Sequence, residues 1–222
     1  MRIRRKKHLK ERLENVKDIV IVPPRDIVNV LEAVKDKQYF NYAKMFGNDN
    51  PVSIEIGCGK GGFITQKAKR EPNENFIAVE LLDNIIVMAG ELAKSQNLTN
   101  VKFVNNGAEY LPRYIKDNSI TNIYLNFSPP YPGDAYENRR LTCDPRIVAY
   151  KAFLKENGCV YQKTDDKGLF DYSFNQFIKH GFTVEDVSQK INEGLIENLE
   201  TEYEKKFRAL GQPIYALIAK KI

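Results

Sequence analysis

Glu55, the glycines at 57, 59, 61 and 62, and Glu80 form the first group of residues spaced for chemistry. Val52-Ser-Ile-Glu-Ile56 alternates apolar and polar residues, which reads as a short strand. The glycines break it, and Phe63, Ile64 and Ala68 open a helical face. A strand, a glycine turn and a helix make the unit that cradles nucleotides in open α/β sheets. Glycine lets backbone come close to a ligand because no Cβ intervenes. Glu80 ends a second strand, Asn75-Phe-Ile-Ala-Val-Glu80, where a carboxylate can accept both hydroxyls of a ribose.

A second group sits in the loop 126–142, which holds Ser128, Pro129, Tyr131, Gly133, Arg139 and Arg140. Prolines at 129, 130 and 132 stiffen this loop and lower the entropy cost of holding a site. The Tyr131 ring offers a surface on which a base can stack. Arg139 and Arg140 suit phosphates. A third group is Asp165 with Thr201-Glu-Tyr-Glu204. Both members also have structural readings. Asp165 can cap a helix, and Thr201-x-x-Glu204 matches a capping box.

The elements that position these groups alternate. Strands are expected at 52–56, 75–80, 101–104, 120–127, 159–163, 182–187 and 214–219. Helices are expected from about 27 to 36, at 62–70, 83–95, 108–114, 144–156, 165–179 and 201–210. Residues 39–51 and 188–200 read as irregular. This pattern predicts an α/β fold with a doubly wound, mostly parallel, seven-stranded sheet. Ligands in such sheets sit outside the carboxyl ends of the strands. That edge collects Gly57–Gly61, Glu80, Asn106-Gly107, Ser128–Tyr131 and Asp165.

Size and charge narrow the partners. The 222 residues suit a single domain, residues 21–222, preceded by a basic arm, residues 1–20. Residues 1–17 carry eight basic side chains against two acidic ones, so the remaining residues sum to about −1 of the net +5. Such an arm suits salt-dependent phosphate contacts. No apolar run approaches membrane-helix length, and no secretory h-region follows the basic start. Cys58, Cys143 and Cys159 are odd in number and lack CxxC spacing, so free thiols in a reducing, cytoplasmic setting are expected. With only His8 and His180 to assist, no metal site is expected.

Spacing leaves two ligands open at the glycine turn. Gly57-x-Gly59-x-x-Gly62 satisfies the dinucleotide fingerprint, with Glu80 near the expected acidic position. The same stretch, Glu55-x-Gly57-x-Gly59-x-Gly61, resembles the first motif of S-adenosylmethionine-dependent methyltransferases. Glu55 favours the latter, because a carboxylate there attracts a cationic or amine-bearing ligand and repels a pyrophosphate.

Several separate motifs, in order, carry a more specific resemblance. Phe46-Gly-Asn-Asp-Asn-Pro51, Ile54-Glu-Ile-Gly-Cys-Gly-Lys-Gly61, Tyr124-Leu-Asn-Phe-Ser128 and Arg139-Arg-Leu-Thr142 are four of them. Lys163-Thr-Asp165 with Gly168-Leu-Phe170, Thr201-Glu-Tyr-Glu-Lys-Lys-Phe207 and Gly211-Gln-Pro-Ile-Tyr215 complete the set. Together with the basic arm they resemble the bacterial tRNA (guanine-N7)-methyltransferases. The resemblance implies S-adenosylmethionine as cofactor and tRNA as partner, with no membrane. Monomer and homodimer both stay open. Glu55, Gly57, Gly59, Gly61, Glu80, Asn106, Gly107 and Pro129 are then expected to face the cofactor. Gly133, Arg139, Arg140, Asp165, Thr201, Glu202, Tyr203 and Glu204 are expected to face the substrate. Asp165, Ser128 and Tyr131 lie closest to the chemistry.

The chain also departs from the family pattern. By the resemblance, Pro129 replaces an acid, Tyr131 a tryptophan and Gly133 the first lysine of a basic run. Gly107 stands where an acid usually meets the adenine end of the cofactor, leaving backbone, Asn106 or Glu109 to serve. The first substitution makes Ser128-Pro-Pro-Tyr131, which resembles the loop of amino-group methyltransferases. An exocyclic-amine methyltransferase and a non-catalytic tRNA-binding relative are therefore the alternatives. An NAD(H) oxidoreductase is a more distant one.

Overall fold

A computed structural model of the chain describes residues 7–24, 30–196 and 198–222. The chain forms two compact units, residues 1–116 and 117–222.

The first unit contains α1 (Leu9–Asn15), β1 (Val20–Ile21), α2 (Val30–Ala33), α3 (Tyr42–Phe46) and β2 (Val52–Ile56). It continues with α4 (Gly62–Arg70), β3 (Asn75–Glu80), α5 (Asp83–Ser95), β4 (Val101–Asn105) and α6 (Leu111–Tyr114), the last preceded by a 3-10 turn at Ala108–Tyr110. Its strands run in the order β1-β4-β3-β2, and every described pair is parallel. Each residue of β2 is buried, Ser53 and Glu55 included. Strands covered on both faces bury their alternate residues too. Phe76, Ile77 and Phe103 are fully buried, each contributing roughly 1.5–3 kcal/mol relative to exposure.

The basic arm is partly built into this unit. Leu9 and Val16 are buried, and the Arg12 Nε and Nη2 donate to the Glu91 carboxylate of α5, both at 2.6 Å. Arg12 in turn holds the Glu91 carboxyl below the usual range. Gly90 on α5 makes the contact possible. A Cβ there would lie 2.6 Å from a Val20 methyl. Arg12 and Lys17 are ion-paired, while Lys7 and Lys10 are exposed. Arg2, Arg4, Arg5 and Lys6 lie outside the described residues, as does the start of the helix expected from about 27.

The second unit contains β5 (Ile120–Asn126), α7 (Asp144–Phe153), β6 (Leu154–Thr164), α8 (Lys167–Lys179) and β7 (Phe182–Asp186). It closes with α9 (Ser188–Asn192), α10 (Glu202–Ala209) and β8 (Tyr215–Lys221). Strand order is β5-β6-β8-β7. β5 and β6 are parallel, and β8 runs antiparallel to both of its neighbours.

The α/β class and mostly parallel pairing are as expected, but the described strands number eight rather than seven. The addition is β1, whose two residues pair with Phe103 and Val104. Its brevity and the following Pro23-Pro24 conceal it in the sequence. α3 forms where a loop was expected, because Asn41 caps it through Lys44 N at 2.9 Å and Gly47 ends it at φ +75°. α9 likewise forms within 188–200. β6 begins at Leu154, upstream of the expected 159, because Leu154 pairs with Ile120 before a register shift that leads to the Asn122–Cys159 pair.

Candidate functional site

In the first unit the carboxyl ends of β2, β3 and β4 carry the cofactor candidates. Gly57 N and Cys58 N both donate to Val79 O, at 2.8 and 3.0 Å, so the glycine turn is tied to β3. Gly57, Gly59 and Gly61 have φ of +82°, +55° and +81°, conformations that glycine alone adopts without strain. At Gly61 space matters as well: a Cβ would meet the Ala89 Cβ at 2.9 Å. At Gly59 a Cβ would meet nothing within 4 Å, so the turn faces open space.

Glu80 lies against this turn. Its Oε2 accepts from Gly59 N at 3.2 Å and its Oε1 from Leu82 N at 2.9 Å. Burial raises its pKa above the usual carboxylate range, partly offset by the backbone N–H groups of Leu82, Gly59 and Leu81. Glu55 is buried at the end of β2. Burial first, then the charges of Glu55 and Glu80, push the Cys58 thiol well above its ordinary value. The fields of both acids therefore converge on the turn, and Cys58 is kept as an inert thiol.

These residues fit S-adenosylmethionine. Each Glu80 oxygen holds one backbone N–H and retains acceptor capacity for ribose hydroxyls. Two acids beside the turn suit a ligand carrying a sulfonium and an amine. Beside β4, Asn106 is buried and its Oδ1 accepts from Gly107 N at 2.8 Å. Among the described residues no group of three or more His, Cys, Asp or Glu could hold a metal.

The second unit carries the substrate candidates. Phe127, just after β5, has φ +51° and its N–H donates to Lys163 O at 2.8 Å. Tyr131 has φ +43°, a left-handed backbone between two prolines. Strain of this kind costs about 1–3 kcal/mol and persists only where surroundings impose it. Arg140 imposes it here. Its Nη2 donates to Tyr131 O at 3.1 Å and its Nε to Pro130 O at 3.2 Å. The Arg140 guanidinium stacks over the Tyr172 ring, 4.3 Å from the centroid. Tyr172 OH donates to Glu137 at 2.8 Å, and burial followed by that acid pushes its own pKa far up. Arg139 is exposed, lying over Tyr136. Ser128 is half-buried and Pro129 exposed. Gly133 has φ 90° and ψ 149°, a region closed to other residues, so a lysine there would be strained.

Asp165 is exposed, and the cap of α8 belongs to Asp166, whose carboxylate accepts from Leu169 N at 2.7 Å. Thr201 does cap α10, accepting from Glu204 N at 3.0 Å. Glu204 is fully buried and accepts from Lys163 Nζ at 2.8 Å, with Asn198 and Arg208 as further donors. Lys163 Nζ also donates to Leu199 O at 2.8 Å and to Asn198 at 2.9 Å. Glu202 and Tyr203 face outward, and the rings of Tyr203 and Phe207 lie 6.1 and 5.9 Å from that of Phe127. The start of the 128–140 loop and the 201–207 segment are thus brought together through Phe127 and Lys163. The Lys163–Glu204 pair escaped the sequence reading. Nothing in the spacing of residues 41 apart announces it.

A family model described as "Putative methyltransferase" matches residues 49–217. A tRNA (guanine-N(7)-)-methyltransferase of Streptococcus uberis is 38% identical over 220 residues, 99% of each chain. The Bacillus subtilis protein of the same name is 38% identical over 216 residues, covering 97% of this chain and 96% of its own. The chain belongs to the tRNA (guanine-N7)-methyltransferase family. The fold agrees: precorrin-6y C5,15-methyltransferase from Geobacter metallireducens matches with TM-score 0.56 at 16% identity, over 92% of this chain and 96% of that one. Membership decides the ligand at the glycine turn against the dinucleotide. No described helix is long and apolar enough to cross a membrane.

Proposed function

We propose that this protein transfers a methyl group from S-adenosylmethionine to N7 of a guanine in tRNA, acting in the cytoplasm. The observation that carries the reading is end-to-end likeness to enzymes of that name, 99% of both chains in one case. The Glu80–glycine-turn cradle supports it with a fitting cofactor site.

S-adenosylmethionine, when bound, supplies an electrophilic methyl on a sulfonium. Guanine N7 has a free lone pair, so the protein need not remove a proton to make a nucleophile. In one displacement the N7–carbon bond forms and the carbon–sulfur bond breaks. Positive charge passes to the guanine ring. The protein's work is positioning and placing negative charge near the new cation. Asp165, exposed at the carboxyl end of β6, suits the second task. Ser128 and Tyr131 present the base, with Gly133 shaping the loop. Pro129 stands exposed in that loop. Glu55, Gly57, Gly59, Gly61, Glu80, Asn106 and Gly107 hold the cofactor. Glu202 and Tyr203 face the substrate, and Thr201 and Glu204 hold them in place from inside. Arg139 and the exposed Lys7 and Lys10 meet phosphates, while Arg140 shapes the loop. The chain acts as one catalytic domain, residues 21–222, behind the arm of residues 1–20.

Incubation with labelled S-adenosylmethionine and unmodified tRNA, followed by digestion and mass spectrometry of nucleosides, tests the proposal. The expected product is 7-methylguanosine. A methylated exocyclic amine, or bound tRNA with no product, would overturn it.

A further inference from the structure

We propose that Tyr172 of α8 is a positioning residue for methyl transfer, acting through Arg140 to set where the Ser128–Tyr131 loop presents the base. The inference rests on the function proposed above and deepens it by naming what holds that loop. The loop leaves β5 and returns to α7. Its returning limb grips its outgoing limb, since Arg140 donates to the carbonyls of Pro130 and Tyr131. An arginine side chain has many rotamers, and a free one cannot impose the left-handed φ of +43° at Tyr131. Its guanidinium must itself be fixed. The Tyr172 ring fixes it, with the guanidinium carbon 4.3 Å from the ring centroid.

Tyr172 is held in turn. Its OH donates to Glu137 Oε1 at 2.8 Å and accepts from Gln176 Nε2 at 3.1 Å. Residues 172 and 176 stand one turn apart on α8. Next to Tyr172, the fully buried Ser173 shares a hydrogen bond of 2.7 Å with the Thr142 hydroxyl and accepts from Gln162 Nε2 of β6 at 3.0 Å. The returning limb is therefore pinned to α8 at residues 137, 140 and 142. α8 starts just after Asp165, with Asp166 as its cap. One helix thus refers the base-presenting loop to the acid proposed to face the new cation. Thr142 and Ser173 are buried polar partners, whose pairing serves stability. Tyr172 is half-buried, and its ring and hydroxyl both meet the loop. The competing role is packing alone, a tyrosine that covers α8 with no bearing on the chemistry.

Steady-state methylation of unmodified tRNA by the full chain separates the two, with urea denaturation giving the folded fraction and titration with S-adenosylhomocysteine reporting the cofactor site. Tyr172→Leu removes ring and hydroxyl. Its kcat per folded molecule should fall about tenfold, with KM for tRNA and S-adenosylhomocysteine affinity unchanged. Tyr172→Phe keeps the ring and loses only the bond to Glu137, so its kcat should fall about threefold. Glu137→Ala removes the same bond from the loop end and should match the phenylalanine variant. It also supplies the reading if leucine unfolds the chain. Arg140→Lys combined with Tyr172→Leu should be no slower than the slower single variant, because both break one link. Unchanged kcat in Tyr172→Leu, with or without lost stability, would overturn the proposal and leave a packing residue. Losses that multiply in the double variant would also overturn it, by showing that Tyr172 does not act through Arg140. An intact chain that binds S-adenosylhomocysteine and tRNA yet forms no 7-methylguanosine would instead overturn the function reading, and this inference with it.

Discussion

The two units hold their candidate residues by different means. In the first, the glycine turn and Glu80 are held by backbone: N–H groups of residues 57, 58, 59 and 82 make the bonds. In the second, side chains do the holding. Arg140 grips the carbonyls of its loop, and Lys163 joins the buried Glu204 of α10. Backbone geometry of the first kind is written locally, in glycine spacing and strand ends. Side-chain networks of the second kind join residues far apart in the chain, and they leave the first-unit site more tolerant of peripheral change than the second.

The sharpest test of that contrast is Lys163→Met. Glu204 is fully buried, and removing one partner of a buried ion pair costs about 3–5 kcal/mol. Arg208 still reaches Glu204 at 3.1 Å, which places the expected loss at the low end, about 3 kcal/mol. Urea denaturation measures it. A change under about 1 kcal/mol would show that the 198–204 segment is not held through this pair.

Next comes the glycine turn. Gly61→Ala must adopt φ +81° and place its Cβ 2.9 Å from that of Ala89. Left-handed strain and overpacking together should cost about 2 kcal/mol and weaken S-adenosylhomocysteine binding. Gly133→Ala sets a contrast, since a Cβ there meets nothing within 4 Å. Its φ of 90° and ψ of 149° are closed to alanine, but the exposed loop has no neighbour to hold it and can shift, so the variant should cost less stability while lowering turnover. Equal stability losses at the two glycines would erase the distinction between a packed and an open turn.

The same contrast explains what could be read in advance. Strands 52–56 and 75–80 and helices 62–70 and 83–95 were legible with matching limits, because hydrophobic period and glycine punctuation are local signals. The positions of Glu80 at the end of β3 and of the glycine turn after β2 were legible for the same reason. β1 was not, because two residues carry no period. The position of Asp166 as the cap of α8 was not either, since Asp165 and Asp166 are equivalent until the helix start is known. Arg140 read as a phosphate ligand by residue type. Its attachment to Pro130 and Tyr131 depends on a fold of the loop that residue type does not specify.

Arg140→Lys sharpens that last point. Lysine keeps the charge but lacks the planar fork that serves two carbonyls and stacks on Tyr172. Turnover should fall about tenfold, the equivalent of one lost hydrogen bond to a charged group, with tRNA affinity and its salt dependence unchanged. Arg139→Ala should do the reverse, weakening tRNA and lowering the salt slope by about one. Loss of tRNA affinity in Arg140→Lys with unchanged turnover would reassign Arg140 to the phosphates.

The smallest expected effect concerns pH in the first unit. Burial raises the Glu80 pKa, so its charged form is lost at a higher pH than an exposed glutamate's would be. The ionised form accepts hydroxyls through both oxygens, and the protonated form gives up part of that capacity. Cofactor affinity should therefore be full near neutrality and decline as pH falls through the raised value, before exposed carboxylates titrate. The sign for stability is opposite. Ionising a desolvated acid costs folding energy, so this group's contribution improves as pH falls through the same window. A fewfold weakening of S-adenosylhomocysteine on acidification, without loss of folded protein, separates ligand binding from unfolding. In Glu80→Gln the affinity should be lower throughout and flat across that window. An identical acid limb in the variant would show that Glu80 is not the titrating group.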